Sequence, residues 1–255
     1  LTIDDPISVR ENDHVFHVTE IIGRRLKEKN VQSSFQPFCI DKNIYRERPD
    51  ITRERRIVFI GSSYRRSFEE LPIEKKHLLS QRLLDHYAES GYTVPTERGQ
   101  YEDIFFNYVE TDLLLKKILS LNLDINIEIY GCDWNLDRAF DPFYRGALNQ
   151  GEDISKVYNG AEYALFLGGY IFQQGALEAM ASGTVPLVLD SRAETSVHDT
   201  NFEEHVILFK RPQDLVQIIN ETPSLDLVSP PNRYSYRNLA EKLVATVNSK
   251  SNELG

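Results

Sequence analysis

The chain has 255 residues and a mass of 29.5 kDa, enough for one large domain or two modest ones around a buried core. Asp and Glu number 39 against 29 Lys and Arg, a formal charge of -10, which argues against a nucleic-acid binder because that function needs a basic face. Hydrophobic residues at 41% and charged residues at 27% exclude bulk disorder, and no apolar run approaches the ~20 residues of a membrane-spanning helix. The first residues, Leu1 to Asp5, hold neither the basic nor the apolar part of a signal peptide. The lack of an initiator Met points to a fragment or a processed chain. Two cysteines, Cys39 and Cys132, cannot form a disulfide framework or a cysteine zinc cluster, so a reduced, cytoplasmic protein is expected.

In chain order, Thr2 and Ile3 run into a turn at Asp4-Asp5-Pro6, and residues 14–18 form a short apolar-rich strand. Thr19 is a plausible cap for a helix over residues 20–29, and residues 31–38 are extended, with Pro37 holding Gln36 away from helix. Residues 41–56 are polar and read as a linker. From Ile57 the pattern changes. Ile57-Val58-Phe59-Ile60 is a continuous apolar run that ends at Gly61, the mark of a parallel strand buried on both faces. Helices are predicted around Leu78 to Tyr87 and over residues 101–121, then a strand over residues 125–130 that stops at Gly131. Asp153 is a candidate cap for a short helix through Tyr158. A strand over residues 163–167, a helix over residues 175–182 stopped by Gly183, and a strand over residues 185–189 follow. A short strand over residues 206–209, a helix from Pro212 to Asn220 and a last helix over residues 236–248 complete the chain.

Strands alternating with helices predict an α/β fold, a mostly parallel sheet with helices on both faces. Ligands of such sheets bind beyond the carboxyl ends of the strands. The candidate residues therefore follow the strands. After the first apolar strand come Gly61, Ser62, Ser63, Tyr64, Arg65 and Arg66, where a glycine turn, amides, hydroxyls and arginines suit phosphate. The spacing is neither a P-loop nor the dinucleotide fingerprint, and a plain turn with solvated arginines is the alternative. After the next strand come Gly131 and Trp134, the tryptophan being either a pocket wall or core. Gln173, Gln174 and Gly175 precede a helix of small residues in which Glu178 stands near the beginning. An ionised carboxylate there suits both hydroxyls of a ribose; a surface glutamate is the alternative.

The run Glu-Ala-Met-Ala-Ser-Gly-Thr-Val-Pro-Leu-Val, residues 178–188, is similar to the donor-binding segment of the carboxyl-terminal domain of GT-B-fold glycosyltransferases. Neighbouring segments agree in order. Phe38-Cys39-Ile40-Asp41 followed by Tyr45 resembles the crossing between the two GT-B domains, and residues 57–62 resemble the first strand of the donor domain. Residues 129–134, Ile-Tyr-Gly-Cys-Asp-Trp, resemble the Tyr-Gly-x-x-Trp segment of the CgeB-type spore-protein branch. Residues 160–165 look like the strand before the donor helix, and residues 206–209 with 212–219 resemble the strand and helix after it. Tyr170 stands where the common retaining pattern has a first glutamate, and Gly175 stands where the CgeB-type branch has an arginine.

The resemblance implies a Rossmann-like, nucleotide-sugar-binding domain over residues 57–255. Residues 1–40 would be a remnant of the acceptor-side domain and residues 41–56 a linker. It implies transfer of a sugar from a nucleotide sugar to a glycan, lipid or protein acceptor, with no metal or other cofactor. The donor phosphate would lie over residues 61–66 and the ribose on Glu178. Peripheral membrane association is compatible with it. Asp4 and Asp5 would face the cleft, where a carboxylate could deprotonate an acceptor hydroxyl; an Asp-Pro turn is the alternative. His14 and His17 lack a third ligand for zinc, and Asp133 and Asp137 have the wrong spacing for an Asp-x-Asp metal site. Two other readings stand beside this one: a fucosyltransferase-like enzyme, suggested by residues 181–186, and a non-catalytic nucleotide- or glycan-binding module.

Overall fold

The structure, a computed structural model, describes residues 13–18, 20–36, 38–90, 99–167, 173–190, 205–221 and 234–253. Asp4, Asp5 and Tyr170 lie outside them. The described chain begins with a small parallel unit, β1 (His14–His17), α1 (Glu20–Glu28) and β2 (Gln32–Phe35), paired so that His14 faces Gln32 and His17 faces Phe35. The His17 ring occupies the space that a Cβ on Gly23 would need, so the helix approaches the strand closely only because position 23 is glycine. The other strand histidine, His14, shares a 2.8 Å hydrogen bond with the Ser34 hydroxyl.

The main sheet holds β3 (Glu54–Ile60), β4 (Asn126–Tyr130), β5 (Ala161–Phe166), β6 (Val185–Leu189) and β7 (Ile207–Phe209), every neighbour pair parallel, in the order β4-β3-β5-β6-β7. Strand alternation divides the core between its faces. Ile57, Phe59, Leu165, Leu187 and Leu189 point to one face with Leu115, Ile118, Leu215 and Ile219. The last four come from α5 (Leu114–Leu119) and α8 (Asp214–Glu221). Val58, Ala164, Phe166 and Val188 point to the other face, against α6 (Glu152–Asn159) and α7 (Gln174–Ala181). The chain steps from β3 outward to β4, then crosses back to lay β5 on the other flank of β3. The switch point therefore lies between β3 and β5, the place where sheets of this order bind their ligands.

The remaining helices follow the expected order with local differences. After α2 (Arg65–Glu69) and α3 (Ile73–Ser90), the predicted helix over residues 101–121 runs unbroken over residues 100–119, as α4 (Gln100–Tyr108), a π-helical turn over Val109–Leu113, and α5. The N-cap of α6 is Gly151 at φ 83°, two residues before the expected Asp153, which sits within the first turn, where its carboxylate accepts from Asn149. Pro212 precedes α8 by two residues, and α9 (Tyr236–Glu253) runs past the predicted end.

Polar though it is, the segment over residues 41–53 is seated on the main sheet unit. The buried Ser155 hydroxyl donates to the Ile44 carbonyl at 2.8 Å, Asn159 Oδ1 accepts from the Arg48 amide at 2.7 Å, and Asn159 Nδ2 donates to the Arg46 carbonyl at 3.0 Å. Arg48 also pairs with Glu152. Tyr45 is buried in the same apolar cluster as α7. The chain returns to this seam near its end, where Ile40 pairs with Ser235 and its amide donates to the Tyr234 carbonyl at 2.9 Å. Asn159→Ala orphans the Arg48 amide and the Arg46 carbonyl together. The expected cost is about 2–3 kcal/mol in a urea-unfolding experiment. A loss near zero would mean the segment is not held by these bonds.

Candidate active site

The loop after β3 is laced to the loop after β4. The Gly61 amide donates to the Tyr130 carbonyl and the Ser63 amide to the Cys132 carbonyl, both at 3.0 Å. Trp134 Nε1 donates to the Gly61 carbonyl at 2.7 Å. Gly131 has φ 136°, and a Cβ there would stand 2.0 Å from the Gly61 oxygen, so only glycine allows the two backbones to meet. Trp134 is completely buried, edge-on to Phe59 and Phe140 with ring centroids at 5.7 and 4.7 Å. Of the two readings of Trp134, core and pocket wall, its burial matches the first: the indole anchors the loop from beneath and has no exposed face for a ligand.

A second anchor comes from the π-helical turn. Its residues Glu110, Thr111 and Asp112 are all buried, and Asp112 reaches the loop. The Ser63 hydroxyl donates to Asp112, and the Tyr64 amide donates to Asp112 Oδ2 at 2.9 Å. Ser63 Oγ in turn accepts from the Arg65 amide at 3.1 Å. Burial pushes the Asp112 carboxyl above the ordinary carboxylate range, with the Ser63 and Tyr64 donors acting against it. The amides of Gly61, Ser63, Tyr64 and Arg65 are thus committed to protein acceptors. Within residues 61–66 the loop's own bonding thus takes up these four amides.

Both arginines of this loop are also engaged. Arg65 binds Glu69 at 2.7 Å and Asp137 at 2.8 Å, and Arg66 binds Asp133 at 2.6 Å. Lys116 joins Asp137 at 2.8 Å, and this ammonium, with lesser help from the Ala139 amide and Arg65, lowers the Asp137 carboxyl below its usual range. Asp133 and Asp137 therefore neutralise cations of the loop. Among the described residues no cluster of three His, Cys, Asp or Glu is placed to hold a metal ion.

Across the switch point stands α7. Gln173 is its N-cap in extended conformation, and the first-turn carbonyl of that residue accepts from the Ala176 amide at 3.1 Å. Gly175 lies against β5 and α6: a Cβ there would meet Phe166 at 3.0 Å and the Tyr158 hydroxyl at 3.5 Å. The small residues Ala176, Ala179 and Ala181 are buried against the sheet, while Glu178 on the neighbouring face stays half-buried. Gln174 Nε2 donates to Glu178 Oε1 at 3.0 Å. Burial raises the Glu178 carboxyl above its ordinary range, with Gln174 and, less, the nearby Tyr45 phenol opposing the rise. At the other end, Gly183 at φ 79° closes the helix, and Thr184 donates to the Tyr158 carbonyl.

The loops after β3 and β4 hold Gly61, Ser62, Ser63, Arg65, Arg66, Gly131 and Trp134, and α7 with its N-cap carries Gln173, Gln174, Gly175 and Glu178. Asp112 joins the first group through Ser63 and Tyr64, and Tyr45 packs in the same apolar cluster as α7. Asp112 was signalled by Glu110-Thr111-Asp112, three consecutive polar residues between Val109 and Leu113, and Tyr45 by an aromatic inside a polar stretch. The N-terminal unit carries a separate open hollow of about 390 Å³, whose lining includes His17, Arg24, Lys27 and Phe35.

The raised Asp112 carboxyl carries a sign for stability. Between the ordinary carboxylate range and its raised value the folded state holds more protons than the unfolded chain, so this group makes stability fall as pH rises through that window. Asp112→Asn is expected to remove this contribution, seen as a flatter pH dependence of the urea midpoint across the acid range. An unchanged pH profile would show that Asp112 titrates as it does in the unfolded chain.

No family model and no curated protein matches the sequence. Solved structures do. A sucrose-phosphate synthase from Thermosynechococcus elongatus superposes with a TM-score of 0.57 at 11% identity over 94% of this chain, which spans 59% of that protein. AviGT4, a glycosyltransferase involved in avilamycin A biosynthesis, gives 0.49 at 12% identity over 84% of this chain and 57% of its own. The pneumococcal O-GlcNAc transferase GtfA, solved with UDP and GlcNAc, gives 0.49 at 14% identity over 93% of this chain and 45% of its own. The first of these likenesses establishes the fold, a Rossmann-like parallel α/β sheet of the kind found in GT-B glycosyltransferases.

Proposed function

We propose that the chain is the donor-binding part of a metal-independent GT-B glycosyltransferase that takes a sugar from a nucleotide sugar to a glycan, lipid or protein acceptor. The observation that carries this reading is Glu178, a half-buried carboxylate in α7, the next described helix after β5, on the flank of the β3–β5 switch point of this fold. The carboxylate takes the ribose hydroxyls. The donor phosphates lie at the amino end of α7, near Gln173, Gln174 and Gly175, because four amides of the opposite loop, those of Gly61, Ser63, Tyr64 and Arg65, are already used. Helix amides and the positive helix end then stabilise the leaving phosphate, and positioning supplies the rest of the rate. The Tyr-Gly-x-x-Trp segment over residues 130–134 supports a place near the CgeB-type branch. The acceptor approaches from the N-terminal unit, the side on which Asp4 and Asp5 were expected, and a cytoplasmic location remains part of the proposal.

The test is calorimetry of UDP, GDP, ADP, TDP and CMP with their sugar conjugates, with and without EDTA. At least one nucleotide is expected to bind, equally well after chelation, and Glu178→Ala is expected to weaken it by roughly ten- to hundred-fold, the equivalent of about 1.5–3 kcal/mol for hydrogen bonds to a charged group. Arg65→Ala and Arg66→Ala are expected to change affinity by less than about five-fold, as ion pairs near the surface contribute little. Binding that disappears with EDTA and returns with manganese would overturn metal independence. A folded Glu178→Ala protein with unchanged affinity would remove the ribose from this carboxylate.

A further inference from the structure

The amino end of α7 meets a side chain from the neighbouring helix. Tyr158 stands in the last turn of α6, and a long helical side chain leans back toward the amino end of its own helix. The phenol so reaches the carboxyl end of β5, where its ring centroid lies 6.5 Å from that of Phe166, the last residue of the strand. Its hydroxyl ends 3.5 Å from where a Cβ on Gly175 would stand, in the first turn of α7. Glycine at this position keeps the space beside the hydroxyl open. Tyr158 is only 3% exposed. Its carbonyl accepts from Thr184, but among the described residues its hydroxyl makes no hydrogen bond. A buried hydroxyl in that condition costs free energy until an acceptor arrives. Beside it the Ala176 amide turns back to the Gln173 carbonyl at 3.1 Å, while the amides of Gln174 and Gly175 have no acceptor within the helix.

We propose that the Tyr158 hydroxyl donates to the phosphate received at the amino end of α7, beside the amides of Gln174 and Gly175. This rests on the reading that the donor phosphates lie there. The helix end offers N–H groups and partial positive charge from one direction only. The phenol adds a donor from a second element, so an oxyanion that accepts from both is fixed in place as well as attracted. Burial, and after it the Glu178 carboxylate and Tyr45, push the phenol upward, which keeps it protonated at neutral pH and able to donate. A neutral donor in a buried place suits an oxyanion, because a hydrogen bond to a charged acceptor is about twice as strong as one between neutral groups. The function of Tyr158 is therefore recognition of the phosphate part of the nucleotide, separate from the ribose contact assigned to Glu178.

Comparing diphosphate with nucleoside supplies the test. Dissociation constants are measured for UDP and uridine, and likewise for the GDP and ADP series, with the wild-type chain and Tyr158→Phe. The weaker nucleosides are read by competition against the diphosphate. In the series that binds best, the wild type should hold the diphosphate at least ten-fold more tightly than the nucleoside. Tyr158→Phe should weaken the diphosphate by roughly ten-fold, the low end for a hydrogen bond to a charged group, and leave the nucleoside within two-fold of wild type. The variant keeps the ring and loses one oxygen that no described residue bonds, so its melting temperature without ligand should match the wild type. An unchanged diphosphate affinity in Tyr158→Phe would overturn the role of Tyr158 and leave the phosphate reading standing. Equal losses for diphosphate and nucleoside would mean that the residue acts through packing and would overturn it too. A melting temperature well below wild type would show that the fold itself uses the hydroxyl, with the same result. No nucleotide bound by the wild type, or a diphosphate held no more tightly than its nucleoside, would overturn the phosphate reading and this inference with it.

Discussion

The central strands are buried on both faces, and the rest of the structure depends on that constraint. Once β3, β5 and β6 are sealed by helices above and below, the polar groups at their carboxyl ends must be paired where they emerge. After β3 the solution is local and complete: Gly61, Ser63, Tyr64 and Arg65 give their amides to Tyr130, Cys132, Asp112 and Ser63. After β5 the next described element is α7, whose amino-terminal amides are the anion-facing groups of the proposed site. The asymmetry between the two strand ends gives the proposed site its polarity, with a rigid, self-satisfied wall on one side and a helix end on the other.

The strands were legible because burial on both faces writes itself as unbroken apolar runs, as in Ile57 to Ile60 and Val185 to Leu189. α7 was legible because its small residues and its glutamate stand in one short stretch. Its glycine at position 175 was readable as well, and the structure gives the reason: Phe166 and Tyr158 leave no room for a side chain. Loop chemistry was less accessible. Residues 61–66 have the composition of a phosphate cradle, and nothing in their order reveals that Asp112, some fifty positions on, consumes the donors. The π-helical turn inserts an extra residue into the helical register and turns Glu110, Thr111 and Asp112 inward together, which a period of 3.6 does not anticipate.

Tyr45 was hidden for a different reason. The composition of residues 41–56 is that of a linker, and composition averages over a stretch in which single residues do the anchoring. Ile44 and Tyr45 are apolar islands among charges, and the partners that seat them, Ser155 and Asn159, are polar residues of a helix more than a hundred positions away. Polar side chains buried in order to capture backbone are among the least visible features of a sequence, because the same residue types are so common at the surface.

The contact between Gly131 and Gly61 has a consequence for evolution and for engineering. With 2.0 Å between the Gly61 oxygen and any Cβ at position 131, and with the Trp134 indole bonded to that same oxygen, the loops after β3 and β4 behave as one folded object made from two distant stretches of sequence. A loop grafted from another protein after either strand alone would meet a partner shaped for its predecessor. Variation at this end of the sheet must therefore come in pairs, and a library that redesigns the site would need to randomise residues 61–66 and 131–137 together while leaving the two glycines in place.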